Sequence, residues 1–382
     1  MSKYFVLLSF LLVGVSCGSE STSSNATQTT ASTTAPPSTT AAPTTTAPPS
    51  TTAAPTTTAP PSTTAAPTTT VAPTTTLPPR PPTIVELLAL DRPLNIAHAG
   101  GDQDYPHSTM YAFTQAVAAG ADMLEMDVRI TADGVLVVHH DATAEGTTGM
   151  SGTITQTTLA DGSIKTVADL TLDQLQALDN AYWWSPTCWP CRELDDDQYP
   201  FRGVRSSEVA PPEGYTADDF RIETLRTIAE AFPGMPLDIE IKDEGGLATQ
   251  AIDALITVLD DLGRRDSVIV ASFSSDIIAE FKAAAPDVAT SPGTDELVAW
   301  VLGGEPLVGH LVVQVPPFYG DIEVLTESFF DAANLAPVEV WVWTSETTQE
   351  AADFYAEMLT IGVDGIITGR PEVTAKAIAD AQ

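Results

Sequence analysis

Basic residues are scarce in this 382-residue chain: 16 Lys and Arg stand against 51 Asp and Glu, for a formal net charge of −35. That balance excludes nucleic acid as a partner, because such binding rests on cations that neutralise phosphates. Cysteine is nearly absent too, and three in the whole chain are too few for a fold built on disulfides. The apolar run at residues 4–15 (YFVLLSFLLVGV) spans roughly 12 residues, whereas a membrane-crossing helix needs about 20. No G-x-G-x-x-G follows the first strand-like segment, which removes the dinucleotide-binding fingerprint. Residues 18–82 have almost no large apolar side chains and almost no charge.

The short apolar run behind Lys3 suits the core of a signal peptide, so the chain is expected to be exported. Cys17 follows Val13, Gly14, Val15 and Ser16, an order that resembles the lipobox of bacterial lipoproteins, although Gly14 stands where Leu is usual. Lipidation at Cys17 would tether the protein to the outer face of a membrane; plain secretion is the other reading. From residue 18 to 82 Thr, Ala, Pro and Ser dominate, and the block TTTAPPSTTAAP recurs about every 12 residues. With almost no large apolar side chains to offset ordering entropy, this stretch is expected to be an extended, partly polyproline-II stalk. Residues 83–382 are the one candidate globular domain, and nearly all the acidity falls there. With so few cations of its own, such a domain needs a bound divalent ion to present a positive centre to an anionic substrate.

Short β-rich apolar runs alternate with helical patterns across the domain, which predicts a parallel sheet with crossover helices. Eight strands are predicted, at 94–98, 122–130, 236–242, 267–273, 288–291, 311–315, 338–344 and 363–368. Eight βα units over about 300 residues fit an α/β fold of the (β/α)8 TIM-barrel type, whose functional residues sit at the C-terminal strand ends.

Polar residues inside these strands carry the chemistry. Glu125 and Asp127, two apart, leave the same face of the second strand, and two buried acids among apolar neighbours call for a cation. Asp133-Gly134 then reads as a two-residue hairpin loop, which places Asp127 opposite His140 and turns His139 to the other face. His98 stands at the end of the first strand and is the second candidate acid or base. On the third strand Glu240 can complete a three-carboxylate site for Ca2+ or Mg2+, Lys242 can meet a phosphate, and Asp238 lies deeper.

Residues 96–141 resemble the glycerophosphodiester phosphodiesterase family. The matching segments are His98-Ala99-Gly100, Pro106-His107-Ser108-Thr109, Gly120-Ala121-Asp122, Glu125-Met126-Asp127-Val128, Thr131-Ala132-Asp133-Gly134 and His140-Asp141. Later matches are Ile239-Glu240-Ile241-Lys242, Ser272-Phe273, Trp343-Thr344 and the run from Gly362 to Thr368. This resemblance implies a barrel of the phospholipase-C-like phosphodiesterase type. It implies that Glu125, Asp127 and Glu240 ligate the metal and that His98 and His140 act as the acid/base pair. Lys242 and Trp343 would contact the phosphate and the alcohol moiety. The implied reaction is hydrolysis of a glycerophosphodiester to an alcohol and glycerol 3-phosphate, with a lysophospholipid as an alternative substrate.

Two departures stand out. Ala99 replaces the family's arginine, and His107-Ser108 replaces its glutamate and asparagine. Loss of the guanidinium removes a bidentate phosphate contact, which His107 is a candidate to replace in part. These changes motivate a competing reading, a non-catalytic surface binding protein on the same barrel. An insertion at about 145–205 follows His140 and is expected to form a lid on the barrel mouth. Its aromatics either contact a substrate head group or pack the lid's own core. Cys188 and Cys191 lie within it; in an exported chain such a pair reads first as a disulfide loop, since a zinc site needs two further ligands.

Overall fold

The computed structural model describes residues 81–143, 165–186 and 193–382. The signal peptide, the stalk, Cys17, Cys188 and Cys191 therefore lie outside the described residues, apart from positions 81 and 82 of the stalk. The strands are β1 (Leu94–Ala97), β2 (Met123–Ile130), β3 (Leu136–Val138), β4 (Leu237–Ile241), β5 (Val268–Ala271), β6 (Ala289–Thr290), β7 (Val312–Val315), β8 (Phe318–Tyr319), β9 (Ile322–Glu323), β10 (Glu339–Trp343) and β11 (Gly365–Thr368). Helices α1 (Ile84–Leu88), α2 (Met110–Ala118), α3 (Leu172–Gln176), α4 (Leu225–Ala231) and α5 (Gly245–Leu262) occupy the first part of the domain. They are followed by α6 (Ser275–Ala284), α7 (Thr294–Gly303), α8 (Glu327–Leu335), α9 (Ala352–Ile361) and α10 (Pro371–Ala381).

Eight parallel strands pair in the order β6-β5-β4-β2-β1-β11-β10-β7, a nearly closed barrel that contains all eight expected strands. Between β6 and β7 no ladder forms among the described residues. A side chain bridges that seam: His310, just before β7, places Nδ1 3.2 Å from the Thr290 carbonyl and 3.0 Å from its hydroxyl. Inside the barrel Ile96, Met123, Ile269, Val312, Trp341 and Ile367 pack together, and Ile84 and Leu87 of α1 join them. Outward-facing apolar residues of the same strands meet the helices. In α5, Ala248, Ala251, Ile252, Leu255 and Leu259 recur at helical spacing and bury one stripe, and Gly263 in the left-handed region (φ 62°) ends the helix. Each fully buried Leu or Ile contributes about 1.5–3 kcal/mol by leaving water.

The β2–β3 hairpin differs from the sequence expectation by one residue. Val128 pairs with Val138, Arg129 with Val137 and Ile130 with Leu136, so the loop is Ala132-Asp133-Gly134 and Asp127 comes opposite His139, not His140. The cause is local: Thr131 and Val135 close the loop (N–H to O, 3.0 Å), and Gly134 at φ 79° takes the left-handed position of a three-residue turn. β3 ends at Val138, but the His139 amide still donates to the Asp127 carbonyl (3.0 Å), so hairpin pairing stops between the two histidines.

The described part of the insertion builds its own small core. Tyr182, Trp183 and Tyr199 surround the Arg202 guanidinium at 4.4, 4.6 and 3.7 Å from their ring centres, and Trp184 packs on Phe201. Those contacts favour the packing role for its aromatics over contact with a head group. The insertion docks on the loop after β1, where the Trp184 indole N–H donates to the Asp102 carbonyl (3.0 Å) and the Asn180 amide donates to the Ser108 carbonyl (3.1 Å).

Candidate active site

Parallel pairing of β2 with β4 sets Glu125 beside Asp238 and Asp127 beside Glu240. Because side chains alternate, all four carboxylates enter the barrel together. Glu125, Asp127 and Glu240 each offer an oxygen, and these oxygens lie within 4.8 Å of one another. Asp238 is set apart by the Gln314 amide, which donates to it at 3.0 Å.

Three acids this close, two of them buried, cannot all stay ionised beside a single lysine. Burial raises Glu125 well above the usual carboxylate range, with Asp127 and Asp238 adding to it against the pull of His98. Glu240 is raised as well, again chiefly by burial, against the pull of Lys242. Asp127 goes the other way, to about 2, because His140, Lys242 and His98 outweigh its burial. One oxygen of Asp127, Oδ2, is buried with no hydrogen-bond donor. Three oxygens at this spacing, one of them without a donor and two acids driven toward protonation, form a donor set that suits a hard divalent cation.

The Lys242 ammonium lies 3.0 Å from Glu240 and 3.6 Å from Asp127, so β4 delivers a cation to the edge of the carboxylates. Phe273, just after β5, is exposed; its ring lies 5.4 Å from the Lys242 nitrogen and 6.0 Å from the Trp343 ring. Trp343, the last residue of β10, thus belongs to the same rim.

Both histidines reach the cluster. His98 follows β1, and its Nε2 is 3.9 Å from Glu125, while its Nδ1 is 2.7 Å from Asp102. Its burial would lower its proton affinity, but Asp102, Glu125 and Asp127 together hold it well above the ordinary histidine range. His140 places Nδ1 2.7 Å from Asp141, and after burial it is the largest influence on Asp127. His139 is buried with Nδ1 3.0 Å from the Asp141 carbonyl. The register differs from expectation and sets His139 opposite Asp127, while His140, beyond the ladder, still acts electrostatically on Asp127 and Glu240.

Three features escaped the sequence reading. The Ala99 amide donates to Glu125 Oε2 at 2.8 Å from a left-handed backbone (φ 47°), so this position orients a carboxylate through its main chain. His107, the candidate substitute for a guanidinium, is held neutral by burial, at about 4, and brings no charge to a phosphate. Asp102 was also missed; its spacing of four from His98 was the available signal.

A family model described as "Glycerophosphoryl diester phosphodiesterase family" matches residues 98–373. A glycerophosphodiester phosphodiesterase of Caldanaerobacter subterraneus is 27% identical over 285 residues, covering 73% of this chain and 95% of the relative. Among solved structures, a glycerophosphoryl diester phosphodiesterase from Parabacteroides distasonis aligns with a TM-score of 0.52 at 20% identity, covering 79% of this chain and 93% of that one. An Oleispira antarctica phosphodiesterase, solved with the product sn-glycerol-3-phosphate, aligns with a TM-score of 0.53 at 20% identity over 75% of this chain and 97% of its own. The solved structures share the barrel, and the family model spans the β1 turn, the carboxylates of β2 and β4, and the strand ends around them. With more than two thirds of its length matched, the chain belongs to the glycerophosphoryl diester phosphodiesterase family and is a phosphoric diester hydrolase.

Proposed function

We propose that this enzyme hydrolyses glycerophosphodiesters to an alcohol and glycerol 3-phosphate, with Glu125, Asp127 and Glu240 holding Ca2+ or Mg2+ and with His98 and His140 moving the protons. The observation that carries the reading is the pairing of three carboxylates within 4.8 Å with two imidazoles that each rest Nδ1 on an aspartate. A cation bound there neutralises phosphoryl charge and makes a nucleophilic oxygen more acidic. In this reading Lys242, beside Glu240 and Asp127, contacts a phosphoryl oxygen, and Trp343, on the same rim, contacts the alcohol moiety. With Nδ1 engaged, each histidine presents Nε2 for proton exchange: one accepts from the attacking water while the other protonates the departing alcohol as the P–O bond breaks. The product named for the Oleispira neighbour, sn-glycerol-3-phosphate, supports the assignment of the product. An exported, lipid-anchored protein at the outer face of a membrane remains part of this reading, on the strength of residues 1–17 and the stalk.

The test is a panel of glycerophosphocholine, glycerophosphoglycerol and lysophosphatidylcholine, each run with Ca2+, with Mg2+ and with chelator. Release of alcohol from the first two, lost on chelation and restored by metal, is the expected result. Preference for lysophosphatidylcholine would move the enzyme to lysophospholipase D chemistry. Metal-dependent binding of all three without turnover would leave a surface receptor.

A further inference from the structure

We infer that Asp102 is the positioning residue that holds His98 with Nε2 toward the carboxylate cluster, and that Trp184 of the insertion holds Asp102 in turn. This inference rests on the role given to His98 above. It starts in the backbone. Ala99, Gly100 and Gly101 follow His98 with φ of 47°, 85° and 92°, three consecutive left-handed residues that reverse the chain within one turn. The Gly101 and Asp102 amides both donate to the His98 carbonyl, at 2.7 and 3.3 Å. The reversal brings the Asp102 carboxylate under the ring, 2.7 Å from Nδ1. An ionised carboxylate only accepts, so Nδ1 is the protonated nitrogen of this contact and Nε2 is left facing Glu125.

The setting of Asp102 argues against a role in stability alone. It is 3% exposed, and its second oxygen, Oδ1, is buried without any donor. Buried carboxylates kept for packing are normally satisfied at both oxygens; this one has His98 as its side-chain partner. Gly369, just after β11, leaves room for it, because a Cβ there would collide with the Asp102 carboxylate. From the other side the Trp184 indole, itself 3% exposed, donates to the Asp102 carbonyl at 3.0 Å. The insertion thus reaches the proton-transferring ring through one hydrogen bond to the main chain and one aspartate.

Steady-state kinetics of Asp102→Ala, Trp184→Phe and His98→Ala in the full chain, with melting temperatures and the ¹⁵N-histidine NMR spectrum of each, test the inference. Asp102→Ala is expected to lower kcat about 10–100-fold, the usual worth of a residue that orients a functional side chain, with KM within about threefold. The downfield Nδ1–H signal of His98, identified by its loss in His98→Ala, should vanish in Asp102→Ala. Trp184→Phe keeps an aromatic ring, though a smaller one, and removes the donor, and should lower kcat severalfold without unfolding. It carries the kinetic test if Asp102→Ala does not fold. If His98→Ala abolishes turnover while Asp102→Ala and Trp184→Phe keep the wild-type kcat, or if the Nδ1–H signal survives in Asp102→Ala, the inference is overturned. If His98→Ala itself retains turnover, the role of His98 fails, and the Nδ1–H signal still decides whether Asp102 orients the ring.

Discussion

His139 and His140 are neighbours in sequence with opposite expected roles, and replacing each by Ala separates chemistry from packing. His140 is partly exposed, with a side-chain accessibility of 23%, and bears on both Asp127 and Glu240. Its removal takes away a proton-transfer group and little buried area, so kcat should fall about 10²–10⁴-fold at nearly wild-type stability. His139 is 2% exposed and engages the Asp141 carbonyl. Its loss opens a cavity and removes a hydrogen bond to a part-buried carbonyl, which together cost about 2–4 kcal/mol, or roughly 3–6 °C in melting temperature for a domain of this size. Stopped assays on a glycerophosphodiester, paired with thermal and urea unfolding, read the two effects separately. A His139→Ala enzyme that is stable but inactive, beside an active His140→Ala enzyme, would refute the assignment. It would mean that the shifted hairpin register carries through to the site after all.

Three further outcomes are expected. Burial and the neighbouring Asp364 raise Glu339, half-buried at the start of β10, to about 7. The protonated form is thus favoured in the folded state, and the stability it gives is complete at low pH and lost as pH rises through about 7. Glu339→Gln should therefore leave the melting temperature unchanged near pH 5 and raise it at pH 8 by the equivalent of about 1–2 kcal/mol, after allowance for solvent screening; a pH-independent difference would contradict this. Lys242→Met should raise KM for a diester about tenfold, the loss of one charge-assisted hydrogen bond, and an unchanged KM would remove Lys242 from the phosphate contact. Cys188 and Cys191 are expected to be disulfide-bonded in the exported protein, so quantitative thiol labelling without reductant would refute that pairing.

The barrel was legible because its strands are marked by composition: VIVA, LDIEI and EVWVW are short β-rich runs, and the acids that interrupt β2 and β4 announced the site by their spacing of two. Hairpin register was not legible to one residue. Thr131-Ala132-Asp133-Gly134 supports a two-residue or a three-residue loop, and only the closure of Thr131 on Val135 decides. Asp102 escaped because its approach to His98 depends on three successive left-handed residues, one of which is an alanine that local preference would not place there. Nor could sequence foresee that burial keeps His107 uncharged, since that follows from the neighbours it packs among.

The missing ladder between β6 and β7 makes this barrel, in mechanical terms, a rolled sheet clasped by an imidazole. Among the described residues these two strands keep edges without a ladder partner, inside a fold whose usual merit is to have none. Backbone amides of the two-residue β6 and of β7 should accordingly be the first of the eight strands to exchange with solvent. A circular permutant opened in the 304–309 loop beside that clasp would set its new chain ends where the cylinder is already unzipped, and leave every paired strand contiguous with its partner.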